Sequence, residues 1–124
     1  MNTSEREIKK FKSWLDTGDP YQRAIGIAVA LYMGFTDVDE KIIHILRTDN
    51  VDAIRRDAMR MIVERKNPKF VDILIEKLSD DDWMIPGLAI QGLKKINPEL
   101  LKRTEVKEFI DKSTHPFILF CISA

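Results

Sequence analysis

Apolar side chains recur along this chain at helical intervals, in blocks that open on acidic turns and close on Asn-Pro or glycine. The clearest block runs from Asp80-Asp81-Asp82 to Asn97-Pro98, with apolar or small residues at Ile85, Leu88, Ala89, Gly92, Leu93 and Ile96. That spacing is one face of a 3.6-residue period between a start and a stop signal. The same phrase stands one repeat earlier. There Asp49-Asn50-Val51-Asp52 opens a helix carrying Ile54, Ala58 and Ile62, and Asn67-Pro68 closes it. An aspartate at Leu88 or Ala89 would place an unpaired charge in the core, so either substitution is expected to unfold the chain.

The remaining blocks are also helical. Ser4 to Glu7 reads as a capping box, and Ile8, Phe11, Trp14 and Leu15 line one face of a first helix over residues 4 to 16. Trp14 shares that stripe with Phe11 and Leu15, which favours a cover over the open end of a core above a ligand platform. Asp19-Pro20 supplies the cap and first-turn proline of a helix over residues 20 to 34. Its run from Ala24 to Leu31 is apolar nearly all round, so burial on several sides is expected, and Gly26 implies a close helix contact. Gly34 stops it. Thr36 or Asp37 caps the next helix, which carries Val38, Ile42, Ile43, Ile45 and Leu46 to about Arg47. Pro68 opens another, reaching Leu78. Residues 98 to 112 are helical with a break near Arg103-Thr104, and Pro116 to Ser123 forms a last short helix.

The small residue at the centre of each long helix falls at Ala28, Ala58, Ala89 and Cys121, in steps of 30, 31 and 32. Leu46, Leu78 and Ile110 close the second helices in steps of 32 and 32. Regular spacing of two independent landmarks marks a solenoid of helical hairpins, each burying its apolar face by stacking on its neighbours. Residues 1–124 therefore read as a single all-α domain. It is expected to be a right-handed α-solenoid of about three antiparallel helical hairpins, with a leading helix and a trailing half-repeat.

The residues that carry this period resemble the short HEAT-like repeat of the phycobilin-lyase repeat family. Its unit is an acidic turn, an apolar residue followed by arginine, alanine four residues on, and a large apolar residue four after that. Asp52, Ile54-Arg55, Ala58 and Ile62 match closely, and Asp82, Ile85-Pro86, Ala89 and Leu93 match with proline in place of arginine. Ala24-Ile25 with Ala28, and Phe117 with Cys121, match more loosely. In many such repeats the arginine pairs with an acidic residue of the neighbouring unit, a part that only Arg55 is expected to play here. The tetratricopeptide signature Trp-x-x-Leu-Gly-x-x-Tyr is not present.

Charge and composition narrow the function classes. Twenty Lys+Arg balance twenty Asp+Glu, and the net charge of zero removes a whole-protein attraction to nucleic acid or anionic membrane, leaving only local faces. One cysteine, Cys121, excludes an intrachain disulfide framework and a cysteine-based zinc site. No apolar run approaches the ~20 residues of a spanning helix and the first residues are polar, so a cytoplasmic protein is expected. His44 and His115 stand alone, and Cys121 falls at the buried-alanine position, where a core thiol is the plainer account. With no metal-ligand spacing, phosphate loop or catalytic cluster, neither an enzyme nor a bound cofactor or metal is expected.

Two polar clusters and one apolar run remain. Arg55, Arg56, Arg60, Arg65 and Lys66, extended by Lys94, Lys95, Lys102 and Arg103, read as a basic face, either solvated or contacting phosphates. Asp80-Asp81-Asp82 is a helix start first and a cation site second. Pro116 to Ile122 is apolar at seven successive positions. Phe117, Ile118 and Phe120 are its candidate self-association surface, paired across a twofold homodimer; deep folding back into the stack, or a longer array, is the alternative. The resemblance implies a non-catalytic scaffold or adaptor that binds another protein on the groove lined by its second helices. The alternative is nucleic-acid-backbone binding through the Arg55–Lys66 face, as in HEAT-like DNA glycosylases. A third reading follows bilin lyases or an iron hydroxylase with His-Glu ligands, but no His-Glu dipeptide occurs here.

Overall fold

The structure, a computed structural model, describes residues 3–124. These residues form eight α-helices and three short 3-10 turns joined by loops, with no strand among them. The helices are α1 (Thr3–Thr17), α2 (Pro20–Met33), α3 (Asp39–Thr48), α4 (Asp52–Arg65), α5 (Val71–Glu76), α6 (Ile85–Ile96), α7 (Thr104–Lys112) and α8 (Pro116–Ser123). The turns are Pro68–Phe70, Lys77–Ser79 and Pro98–Lys102. No helix among them is long and apolar enough to cross a membrane. The chain forms two compact units, Met1–Met61 and Ile62–Ala124, divided within α4.

In the first unit α1 packs along α2 and touches α3. Gly26 is the reason α1 comes so close: a Cβ there would fall 3.0 Å from both the Leu15 Cδ2 and the Phe11 carbonyl oxygen. Asp19 and Gln22 close a reciprocal capping box at the start of α2, with bonds of 2.8 and 3.0 Å. Gly34 ends the helix in the left-handed region at φ 71°. Leu15, Ile27, Ala30, Val38, Ile42, Ile45 and Leu46 fill the core.

Three expectations change here. Helix α1 starts at Thr3, so Ser4 lies inside its first turn and the capping position falls outside the described residues. Helix α3 starts at Asp39 with Val38 at the cap position and no side-chain cap bond; the Asp37 carboxylate meets the Lys12 ammonium at 2.7 Å. Helix α2 is not covered all round. α1 seals its Gly26 side, while Tyr21, Ala28, Leu31 and Tyr32 are exposed.

In the second unit α6 is the central helix, buried at Ile85–Ile90, Gly92 and Leu93. Its two glycines admit neighbours at opposite ends. A Cβ at Gly92 would lie 3.0 and 3.1 Å from the Leu74 methyls and 3.2 Å from Val63, and one at Gly87 would lie 2.6 Å from the Phe117 ring. The partner opened by Pro68 is not one continuous helix; α5 is flanked by 3-10 turns at both ends. The break expected near Arg103-Thr104 falls between the Pro98–Lys102 turn and α7.

Candidate functional site

The turns that begin each hairpin element repeat atom for atom. Asp49 Oδ1 accepts the Val51 N–H at 3.0 Å, and Asp80 Oδ1 accepts the Asp82 N–H at 2.9 Å. Asn67 Oδ1 accepts the Lys69 N–H and Asn97 Oδ1 the Glu99 N–H, both at 3.0 Å, each just ahead of a proline-led 3-10 turn. These are Asx turns, in which a short polar side chain replaces the next backbone acceptor. They lie 31 and 30 residues apart. The small buried positions sharpen the same period. Ala58, Ala89 and Cys121 are fully buried, but Ala28 is exposed; the buried small residues of α2 are Gly26 and Ala30, and Gly26 is the one that keeps the spacing. Counting from 26 to 58, 58 to 89 and 89 to 121 gives steps of 32, 31 and 32.

The expected basic face does not survive intact. Arg55 is 7% exposed, donating to the Asp49 carbonyl at 2.9 Å and paired with Asp52 at 3.0 Å. Its Nη atoms thus tie down the turn ahead of its own helix. Arg56 and Arg65 are half-buried and engaged by other groups of the chain, and Arg60 pairs with Asp57 at 2.9 Å. Lys66 is exposed at the end of α4 with φ 51°, a left-handed stop without glycine. Of the proposed extensions, Lys94 donates to the Cys121 and Ile122 carbonyls at 3.2 and 2.9 Å, holding the last turn of α8. Lys95 meets Glu64 at 3.3 Å and Lys102 meets Glu99 at 2.8 Å.

An ion pair outside the expected set is better built. Arg23 Nε donates to Asp49 Oδ2 at 2.6 Å and Nη2 to Oδ1 at 3.1 Å, while Nη1 reaches the Gly18 carbonyl at 2.8 Å. The Asp49 side chain is 4% exposed and that of Arg23 19%. The bidentate fork locks α2 to the turn before α4. Aligning Gly26 with Ala58 places Arg23 at the Arg55 position, 32 residues earlier, a signal hidden by taking Ala28 as the landmark.

The acidic triplet caps a helix. Asp82 is 5% exposed, and its Oδ2 accepts the Met84 and Ile85 N–H groups at 3.0 and 3.2 Å; Asp80 also meets the Lys77 ammonium at 3.5 Å. The helix start proper is Ile85, yet the carboxylate two residues ahead of the cap position takes its free N–H groups. Among the described residues no group of three His, Cys, Asp or Glu side chains could hold a metal ion.

At the C-terminal helix the apolar run divides between two faces. Ile118 and Cys121 are buried, and Phe117 lies half-buried over Gly87 with its ring edge-on to Trp83 at 5.4 Å. His115 caps α8, its Nδ1 accepting the Phe117 N–H at 3.1 Å, and stacks on Trp83 at 5.5 Å. Ile118 therefore leaves the candidate self-association surface, and Phe117 is largely spent on α6. Leu119 and Phe120 remain outward at 47% and 59% exposure. Burial pushes the Cys121 thiol above its ordinary range, with the Lys94 ammonium opposing, so the sulfur is a protonated core group.

In the second unit a groove of about 540 Å³ lies between the two Asn-Pro elbows. Pro68, Lys69, Val71 and Asp72 form one wall; Ile96, Asn97, Leu100 and Arg103 form the other. A smaller groove of about 150 Å³ in the first unit is lined by Ala24, Ile27, Ala28 and Leu31, with Asp57 and Arg60 at its edge. No family model, curated protein or solved structure matches the chain.

Proposed function

We propose that this chain is a non-catalytic protein-interaction module of short HEAT-type repeats, which holds a protein partner in the groove beside its second helices. The observation that carries this reading is the groove of about 540 Å³ between Pro68–Asp72 and Ile96–Arg103, whose Val71, Ile96 and Leu100 are half-buried. Half-exposed apolar side chains in a concave setting favour association over further packing within the chain. The repeated Asx turns and the 31-to-32-residue period support the repeat reading. The nucleic-acid reading is weaker, because Arg55 is buried and Arg60, Lys95 and Lys102 are paired with carboxylates.

Immobilised protein should retain a discrete protein set from a nuclease-treated native lysate, and Leu100→Glu should abolish that retention. Tight binding to a short DNA duplex, with a steep fall of log K against log salt, would replace this reading by the nucleic-acid one. A second reading is favoured by the exposed Leu119 and Phe120: self-association through the outer face of α8.

A further inference from the structure

We propose that the groove between the two Asn-Pro elbows takes a short peptide segment in which a carboxylate side chain stands beside a large apolar one. This rests on the interaction reading above and adds the chemistry of the partner. The apolar component meets Val71, Ile96 and Leu100, each half-buried, within a volume of about 540 Å³. That size lies inside the ~300–1,000 Å³ range of sites that enclose small ligands and side-chain anchors. Both walls are preorganised, since Asn67 and Asn97 each spend a side-chain oxygen on their own turn at 3.0 Å and a proline follows each. Rigid walls lose little conformational freedom on binding.

The charges set the sign. Arg103 is exposed on one wall, and its guanidinium makes no ion pair or hydrogen bond among the described residues. Its planar fork fits a carboxylate through two parallel N–H donors. Lys69 stands on the opposite wall with its ammonium 4.9 Å from the Phe70 ring centroid. Asp72 is the acidic side chain of the lining, on the wall opposite Arg103, and its charge opposes a run of phosphates. The unpaired Arg103 guanidinium favours an acidic side chain at its wall, and the Asp72 carboxylate disfavours a polyanion.

The test uses the full chain and fluorescence anisotropy with three labelled synthetic peptides. They share the same leucine and phenylalanine positions and carry glutamate, glutamine or lysine between them. The glutamate peptide should bind about tenfold more tightly than the lysine peptide, a typical margin for one charge-assisted contact. Arg103→Glu should invert that order, and Leu100→Ala should weaken all three. Both positions lie on the groove surface, and circular dichroism of each variant checks that it is folded. Equal binding of the three peptides, still lost in Leu100→Ala, overturns the carboxylate preference while leaving the interaction reading standing. Binding of none overturns both. A labelled single-stranded DNA that outcompetes the glutamate peptide also overturns the proposal, in favour of phosphate recognition.

Discussion

Single residues in this protein are explained by what they touch more than by their type. Arg55 and Arg23 occupy equivalent repeat positions, and both are committed to the turn around Asp49. Removing Arg23 leaves a carboxylate that is 4% exposed without its bidentate partner. Arg23→Ala is therefore expected to cost about 2–4 kcal/mol, below the full value for a wholly buried pair because Arg23 keeps contact with water. Chemical denaturation of the variant checks this, and a loss under half a kcal/mol, as for ~surface pairs, would make the bridge ornamental. Cys121 gives a second residue-scale expectation. Its thiol is held protonated by burial, so the unfolded chain gives up that proton first as the solution turns alkaline. Its contribution is whole below the ordinary thiol range and is lost as the pH climbs through the raised folded value. Thiol-specific labelling at neutral pH should be slow in the native protein and fast in urea; fast native labelling would contradict the buried assignment.

At the scale of elements, α6 shows how two missing side chains organise a unit. Gly92 receives Leu74 and Val63, and Gly87 receives Phe117 and Cys121. Gly92 lies in the helix interior, where glycine costs about 1 kcal/mol against alanine, and Gly87 in the first turn; close approach is what accounts for both. At Gly87 the added methyl would meet the Phe117 ring at 2.6 Å. Gly87→Ala should push α8 outward and destabilise by about 1–3 kcal/mol despite the better helix propensity. Trp83 reports on this directly, because Phe117 and His115 both contact its ring. A shift in its emission with lowered stability is the expected result, and a stabilised variant with unchanged emission would show that α8 is not seated on Gly87.

At the scale of the molecule, association depends on what the helices leave uncovered. Of the seven successive apolar residues at the C-terminal end, Leu119 and Phe120 are the large ones that remain outward. A stable interface needs about 800 Å² from each partner, more than two half-exposed side chains supply. Self-association through α8 is therefore expected to be weak and to grow with concentration in sedimentation velocity. Phe120→Glu should remove it without unfolding the chain, whereas Phe117→Glu should damage the contact with α6 first. Concentration-dependent dimers that persist in Phe120→Glu would place the self-contact elsewhere.

What the sequence by itself determined was the helical content, the period and most boundaries. Helical spacing, Asx and proline starts and glycine stops are local signals, and they hold at Asp19-Pro20, Gly34, Asn97-Pro98 and Pro116. Asp80-Asp81-Asp82 was legible for the same reason, since free N–H groups at a helix start attract carboxylates in any context. What only the tertiary structure decided was which face of each helix is covered. An all-apolar stretch such as Ala24 to Leu31 carries no periodic contrast, so the small buried landmark could be read as the exposed Ala28 when the buried small residues are Gly26 and Ala30. Without that register Arg23 had no visible partner, because Asp49 lies 26 residues away and is brought near by packing alone. The groove beside Leu100 and Arg103 was unreadable in the same way. It belongs to no segment; it is the space left when two Asn-Pro elbows, one repeat apart, come to lie side by side.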